Sequence, residues 1–176
     1  MKIKIMPLNL ETDLLEISSW DDEFYDDHKY DSIKHFILED NAYIGIGEVI
    51  QTNYEKYEIG TNERKFALSI KDDKNKIIGF VLALIDKLKT SSPELLIQYI
   101  VIHPNFQGQG IGTQVLTDLI YNPQTYFKTN IGKVFSRIEN NNYASRQMFK
   151  KLGFNLAFTN SRFMKANITI SENNKE

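Results

Sequence analysis

Apolar residues recur along this chain with two periods. Ile3 and Ile5 alternate with Lys2 and Lys4, which predicts a first strand over residues 2–8. Residues 13–20 follow as a short helix capped by Thr12 or Asp13, with Leu14, Leu15 and Ile17 turned inward. Ile33, Phe36 and Ile37 at helical spacing predict a second helix, while residues 41–60 follow neither period. Alternation returns at 66–71. A polar turn occupies 72–76, and 77–85 forms the second arm of a hairpin. Residues 95–103 are nearly all apolar, as a strand buried on both faces should be, and Pro104 stops it. Ile111, Val115, Leu116, Leu119 and Ile120 mark one face of the next helix, which Asn122-Pro123 ends. A strand over 133–138 leads to a helix over 142–152, with Ala144, Met148, Phe149 and Leu152 inward and Gly153 as its stop. Residues 154–158 and 162–169 read as a last hairpin, and 171–176 as a polar tail. The order β-α-α-β-β-β-α-β-α-β-β predicts one α/β domain over residues 1–170 with a mixed sheet.

Composition narrows the chemistry. A chain of 176 residues suits one domain. Having no cysteine, it has no disulfide, no thiolate metal site and no cysteine nucleophile. His28, His35 and His103 lack metal-ligand spacing, so no metal is expected. No apolar run reaches about 18 residues, so no membrane span is expected. The start has no apolar signal block, and a cytoplasmic location is the expectation. A pI near 6.0 without a basic stripe argues against nucleic acid. The net charge of −2 hides a division: residues 1–60 carry 14 acidic against 5 basic residues. Residues 61–176 carry 9 acidic against 16 basic ones, so one half suits a cation and the other an anion, unless both are simply solvated.

The most informative stretch is Gln107-Gly108-Gln109-Gly110-Ile111-Gly112 between the apolar strand and a helix. Glycines let a loop turn tightly with no Cβ in a ligand's way, and the helix that follows offers free N–H groups to an anion. The same glycines would also let helix and strand pack closely. A P-loop would need Lys after its last glycine, but Thr113 follows Gly112. A dinucleotide fingerprint would need G-x-G-x-x-G early in the chain, and the spacing here is Gly108-x-Gly110-x-Gly112.

Three segments together resemble the GNAT superfamily of N-acetyltransferases. Gln107, Gly110 and Gly112 meet its Q/R-x-x-G-x-G/A signature. The preceding strand, Tyr99-Ile100-Val101-Ile102-His103-Pro104, resembles the family's apolar strand ending in x-P. The stretch from Asn142 through Ala144, Ser145, Phe149 and Lys151 to Gly153-Phe154 resembles its second signature. The resemblance covers roughly residues 66–158 and implies a mixed central sheet splayed open around acetyl-CoA and flanked by helices. It implies that pantetheine bonds backbone groups near Ile100 and Ile102. The pyrophosphate would rest on Gln107, Gly108, Gln109, Gly110, Ile111, Gly112 and Thr113. Asn142, Ser145 and Arg146 would lie near pantetheine or phosphate, with Phe149 lining the thiol pocket. Asn142 also reads as a helix cap.

The implied reaction is direct acetyl transfer to a primary amine in a ternary complex, in which orientation does much of the work. An amide near Val101 or Ile102 would stabilise the oxyanion. Many relatives have Tyr where this chain has Phe149, so Tyr143, Tyr99 or water would protonate the thiolate. Glu94, Glu139 and His103 are the candidate bases. The acidic–aromatic residues 20–27, with Trp20, Asp21, Asp22 and Tyr25, suggest a cationic acceptor, a small molecule or a peptide amine. A solvated acidic loop is the competing reading. A non-catalytic acyl-CoA-binding module is the competing function, and a homodimer is left open.

Overall fold

The computed structural model describes residues 1–9, 11–20, 63–86 and 93–170. The expected second helix at Ile33, Phe36 and Ile37, the stretch 41–60 and the tail 171–176 lie outside them. The elements are β1 (Lys4–Pro7), α1 (Asp13–Ser18), β2 (Glu63–Lys71), β3 (Ile77–Asp86) and β4 (Glu94–Ile102). A 3-10 turn (Pro104–Phe106) leads into α2 (Ile111–Tyr121) and α3 (Pro123–Phe127). They are followed by β5 (Lys133–Glu139), α4 (Tyr143–Lys151), β6 (Asn155–Phe158) and β7 (Phe163–Thr169). The strands form one sheet in the order β1-β2-β3-β4-β5-β7-β6, antiparallel except where β4 meets β5.

Each sheet face buries its own cluster. Ile70, Val81, Leu95, Ile97 and Val134 pack on one face against Ile111, Val115, Leu116 and Leu119 of α2 and Phe149 of α4. Ile17 and Trp20 cover Ala67, Phe80 and Leu82 on the other. Three local expectations are corrected. Leu15 is 74% exposed, because Asp13 and Ile17, four residues apart, turn to the sheet with Leu14 packed beside them, and Leu15 falls on the other side of so short a helix. Pro123 does not merely end a helix but opens α3, where a missing N–H costs nothing. Ala144 is exposed in the first turn of α4.

The tie between α1 and the sheet is ionic. Asp13 is 4% exposed, and its carboxylate accepts from the Lys71 Nζ at 2.9 Å, the Asn9 amide at 3.1 Å and the Thr12 hydroxyl at 3.3 Å. Burial works to raise its pKa, but the Asn9 amide and Lys71 outweigh that and hold it below the ordinary carboxylate value. A lowered folded-state pKa contributes stability above the unfolded value, and this is lost as pH falls through the folded value. Asp13→Asn should therefore cost ~1–3 kcal/mol at neutral pH. Denaturant titrations from pH 7 down to 3 should show that deficit shrinking.

Candidate active site

The sheet opens where β4 and β5 part. They pair over four positions only, from Glu94↔Lys133 to Ile97↔Ser136. Beyond that, β4 runs on to Ile102 and β5 to Glu139 without pairing with each other. At the parting point the buried Ser136 hydroxyl donates to the Ile97 carbonyl at 2.9 Å. In the β3–β4 register Leu82 meets Tyr99 while Ala83 meets Ile97, so Gln98 is an extra residue that bulges β4.

The bulge decides which backbone groups line the opening. The His103 amide donates to the Ile78 carbonyl at 2.9 Å, so alternation turns the amides of Val101 and Tyr99 toward β3 as well. The polar groups of Ile100 and Ile102 then face the opening. Val101 is thereby corrected as an oxyanion donor, since its amide belongs to the sheet. The Ile102 carbonyl accepts from the Gln107 Nε2 at 2.9 Å, which ties the signature glutamine to the end of the strand.

The glycine loop starts from that tie. Gly108 and Gly110 have φ of 75° and 78°, left-handed values that side chains resist, and a Cβ at either would meet nothing within 4 Å. Gly110 is the N-cap of α2 and provides no side-chain cap bond, so the first N–H groups of α2 are left to an outside acceptor. Positive φ, open space and unfilled donors fit a pyrophosphate. Gly112 does a different job. Its Cβ would sit 3.1 Å from the Met148 Sδ, so its lack of a side chain lets α2 approach α4.

The later signature forms the wall beside the opening. Asn142 is 8% exposed and caps α4, its Oδ1 accepting from the Ser145 amide at 3.0 Å. Arg146 donates to the Asn140 carbonyl at 2.9 Å and lies 5.1 Å from the ring centre of Tyr143, which is 66% exposed. Phe149 is 3% exposed and stands edge-on to Phe154 at 4.8 Å.

Other candidates lie elsewhere. Glu94 bonds Lys133 at 3.4 Å at the closed start of β4, roughly 26 Å along the strand from Ile102, too far to serve as a base. His103 is buried between Trp20 at 4.9 Å and Phe106 at 5.9 Å, and its Nδ1 accepts from the Asn105 amide. Trp20 is 3% exposed in that packing, so its face is not offered to an acceptor. Asp21, Asp22 and Tyr25 lie outside the described residues. Glu139 ends β5 at the open side, with its carboxylate held by Arg162 at 3.0 and 3.1 Å. Ser136 and Arg137 went unread in the sequence, since only the strand register shows that β5 leaves β4 at that point. Among the described residues, no three metal-ligating side chains cluster, and no helix is long and apolar enough to cross a membrane.

A sheet that splits beside a glycine-rich helix start is the architecture of an acyl-CoA-dependent transferase. The family model for the acetyltransferase (GNAT) family matches residues 9–154, and the chain belongs to that family of acetyltransferases. Among solved structures, an acetyltransferase from Thermus thermophilus aligns with a TM-score of 0.68 at 13% identity, over 97% of this chain and 98% of that one. The spermidine N-acetyltransferase from Vibrio cholerae, in complex with CoA and spermine, aligns at 0.66 and 15% identity over 95% of each chain. A chain of the NatC complex bound to Gag peptide and CoA aligns at 0.58 and 16% identity, over 97% of this chain and 100% of that one. No curated protein matches the sequence.

Proposed function

We propose that this acetyltransferase moves the acetyl group of acetyl-CoA directly to a primary amine held in the same opening. The observation that carries this reading is the stretch of β4 beyond Ile97 that is left unpaired on its β5 side and ends at the glycine loop. Acetyl-CoA supplies an activated thioester. The N–H groups from Gly108 to Thr113 take its pyrophosphate, and Ile102 pairs with the pantetheine arm as a missing strand would. The acyl end then reaches the narrow part of the opening. There the Ile100 N–H is the first cleft-facing amide past the bulge, and it receives the developing oxyanion. Holding amine and thioester together supplies much of the acceleration, ~7–11 kcal/mol at best.

Tyr143, exposed at the head of α4, is a hydroxyl on this wall that can serve the leaving thiolate, because Phe149 has none. Two neighbours support an amine acceptor of some kind, one bound to spermine and one to a peptide. The cationic-acceptor reading rests on residues 20–27, and only Trp20 of these is described.

Acetyl-CoA at 100 times its dissociation constant should add ~2.7 kcal/mol to the unfolding free energy. That corresponds to a melting shift of several degrees, ~5–11 °C, for a domain of this size. CoA release should then follow with at least one amine of a mixed panel. A shift without release from any amine would favour the acyl-CoA-binding module. No shift at millimolar acetyl-CoA would overturn the reading.

A further inference from the structure

Leu95 and Val134 stand side by side on the α2 face of the sheet, so Leu96 and its neighbour Phe135 stand on the opposite face. Two more steps along β5 put Arg137 and Glu139 on that opposite face too, across the opening from Tyr99 and Val101 of β4. The glycine loop and α2 take the near side of the opening. An acceptor therefore reaches the thioester from the side where Arg137 stands, one residue beyond the last paired position.

Arg137 is exposed, and its guanidinium lies 4.2 Å from the ring centre of Phe163. It makes no hydrogen bond or ion pair among the described residues. Its cross-strand partner is the exposed Lys165, whose ammonium lies 5.3 Å from the Phe135 ring centre. The carboxylate nearest in register, that of Glu139, is taken by Arg162, which lies 4.9 Å from the same Phe163 ring. The result is a guanidinium oriented by stacking, with its hydrogen-bond fork unused and a second cation beside it. Such a group binds a carboxylate through two parallel hydrogen bonds, whereas a polyamine would meet like charges there.

We propose that Arg137 anchors the acceptor by a carboxylate, so that the acceptor is an amine that also carries a carboxylate, a free amino acid or a peptide, and not a polyamine. The inference rests on the transferase reading above and names the substrate class of that site.

Initial rates of CoA release would be measured with amino acids and dipeptides, with the same compounds as C-terminal amides, and with spermine. The carboxylates should exceed their amides in kcat/KM by ~10–100-fold, the usual worth of a charge-assisted pair. Arg137→Gln should erase that preference by raising the acceptor KM, leaving the acetyl-CoA KM unchanged, and Arg137→Lys should restore part of it. Preference for dipeptides over amino acids, or the reverse, separates the two sources. Equal use of acids and amides, preferential use of spermine, or an Arg137→Gln variant that still favours the carboxylates would overturn the proposal. A loss in Arg137→Gln that falls equally on acids and amides would do the same. The parent reading fails in a different way, with no acetyl-CoA melting shift and no turnover of any compound, and this inference falls with it.

Discussion

Gly110→Val is expected to abolish the acetyl-CoA melting shift while leaving a folded protein. At φ 78° a side chain is strained, and a branched one more so, which costs the loop ~1–2 kcal/mol. The added atoms meet no protein group, because nothing lies within 4 Å of the position a Cβ would take. They would project instead into the space left open beside the first N–H groups of α2. The fold therefore suffers a small, local penalty, and the pyrophosphate loses its closest approach. Titration calorimetry with acetyl-CoA on a variant whose circular dichroism matches wild type is the measurement. Binding within about threefold of wild type, under ~1 kcal/mol, would mean that the glycine serves only the turn. Gly112 is the contrast: its missing Cβ makes room for Met148, so a side chain there should disturb the packing of α2 on α4 first.

Phe149→Ala is expected to destabilise the domain by ~3–5 kcal/mol. The ring is 3% exposed, stands edge-on to Phe154 and belongs to the core shared by α2, α4 and the sheet. Removing it leaves a cavity that the rigid strands around it cannot fill. Phe149→Tyr keeps the ring and tests the chemistry separately. It should hold the rate of acetyl transfer at or above wild type, because it restores the hydroxyl that many relatives have there. Chemical denaturation reads the first variant and CoA release the second. A rate loss of about tenfold in Phe149→Tyr, ~1.4 kcal/mol in the barrier, would show that the pocket is closed around the bare ring. A loss under about 1 kcal/mol in Phe149→Ala would show that the ring is not part of the core.

Much of this was legible in the residues because it is local. A glycine at φ 78° followed by an apolar helical face is written in consecutive residues. So is Asn142, whose side chain caps the helix it opens. The apolar run before Pro104 correctly announced a central strand. It gave no sign of the bulge at Gln98, because a run apolar on both faces looks the same with or without an extra residue. That single residue reverses backbone parity, so past the bulge the amide of Ile100, and not that of Val101, faces the opening. Trp20 failed for a related reason. An aromatic beside a run of carboxylates reads as a cation site, but the ring is buried on His103, and packing across the sheet decided that.

The sequence by itself determined the family, the mixed α/β class and the glycine loop with its positive φ values, since each depends on spacing within short segments and on the backbone freedom of glycine. Tertiary structure alone decided where β4 and β5 part, which amides face the gap and which charges stand across it. Arg137 and Lys165 are far apart in the chain and opposite one another in the sheet. Their meeting, and the pairing of Glu139 with Arg162, follow from strand register, a property of paired backbones that no single segment contains.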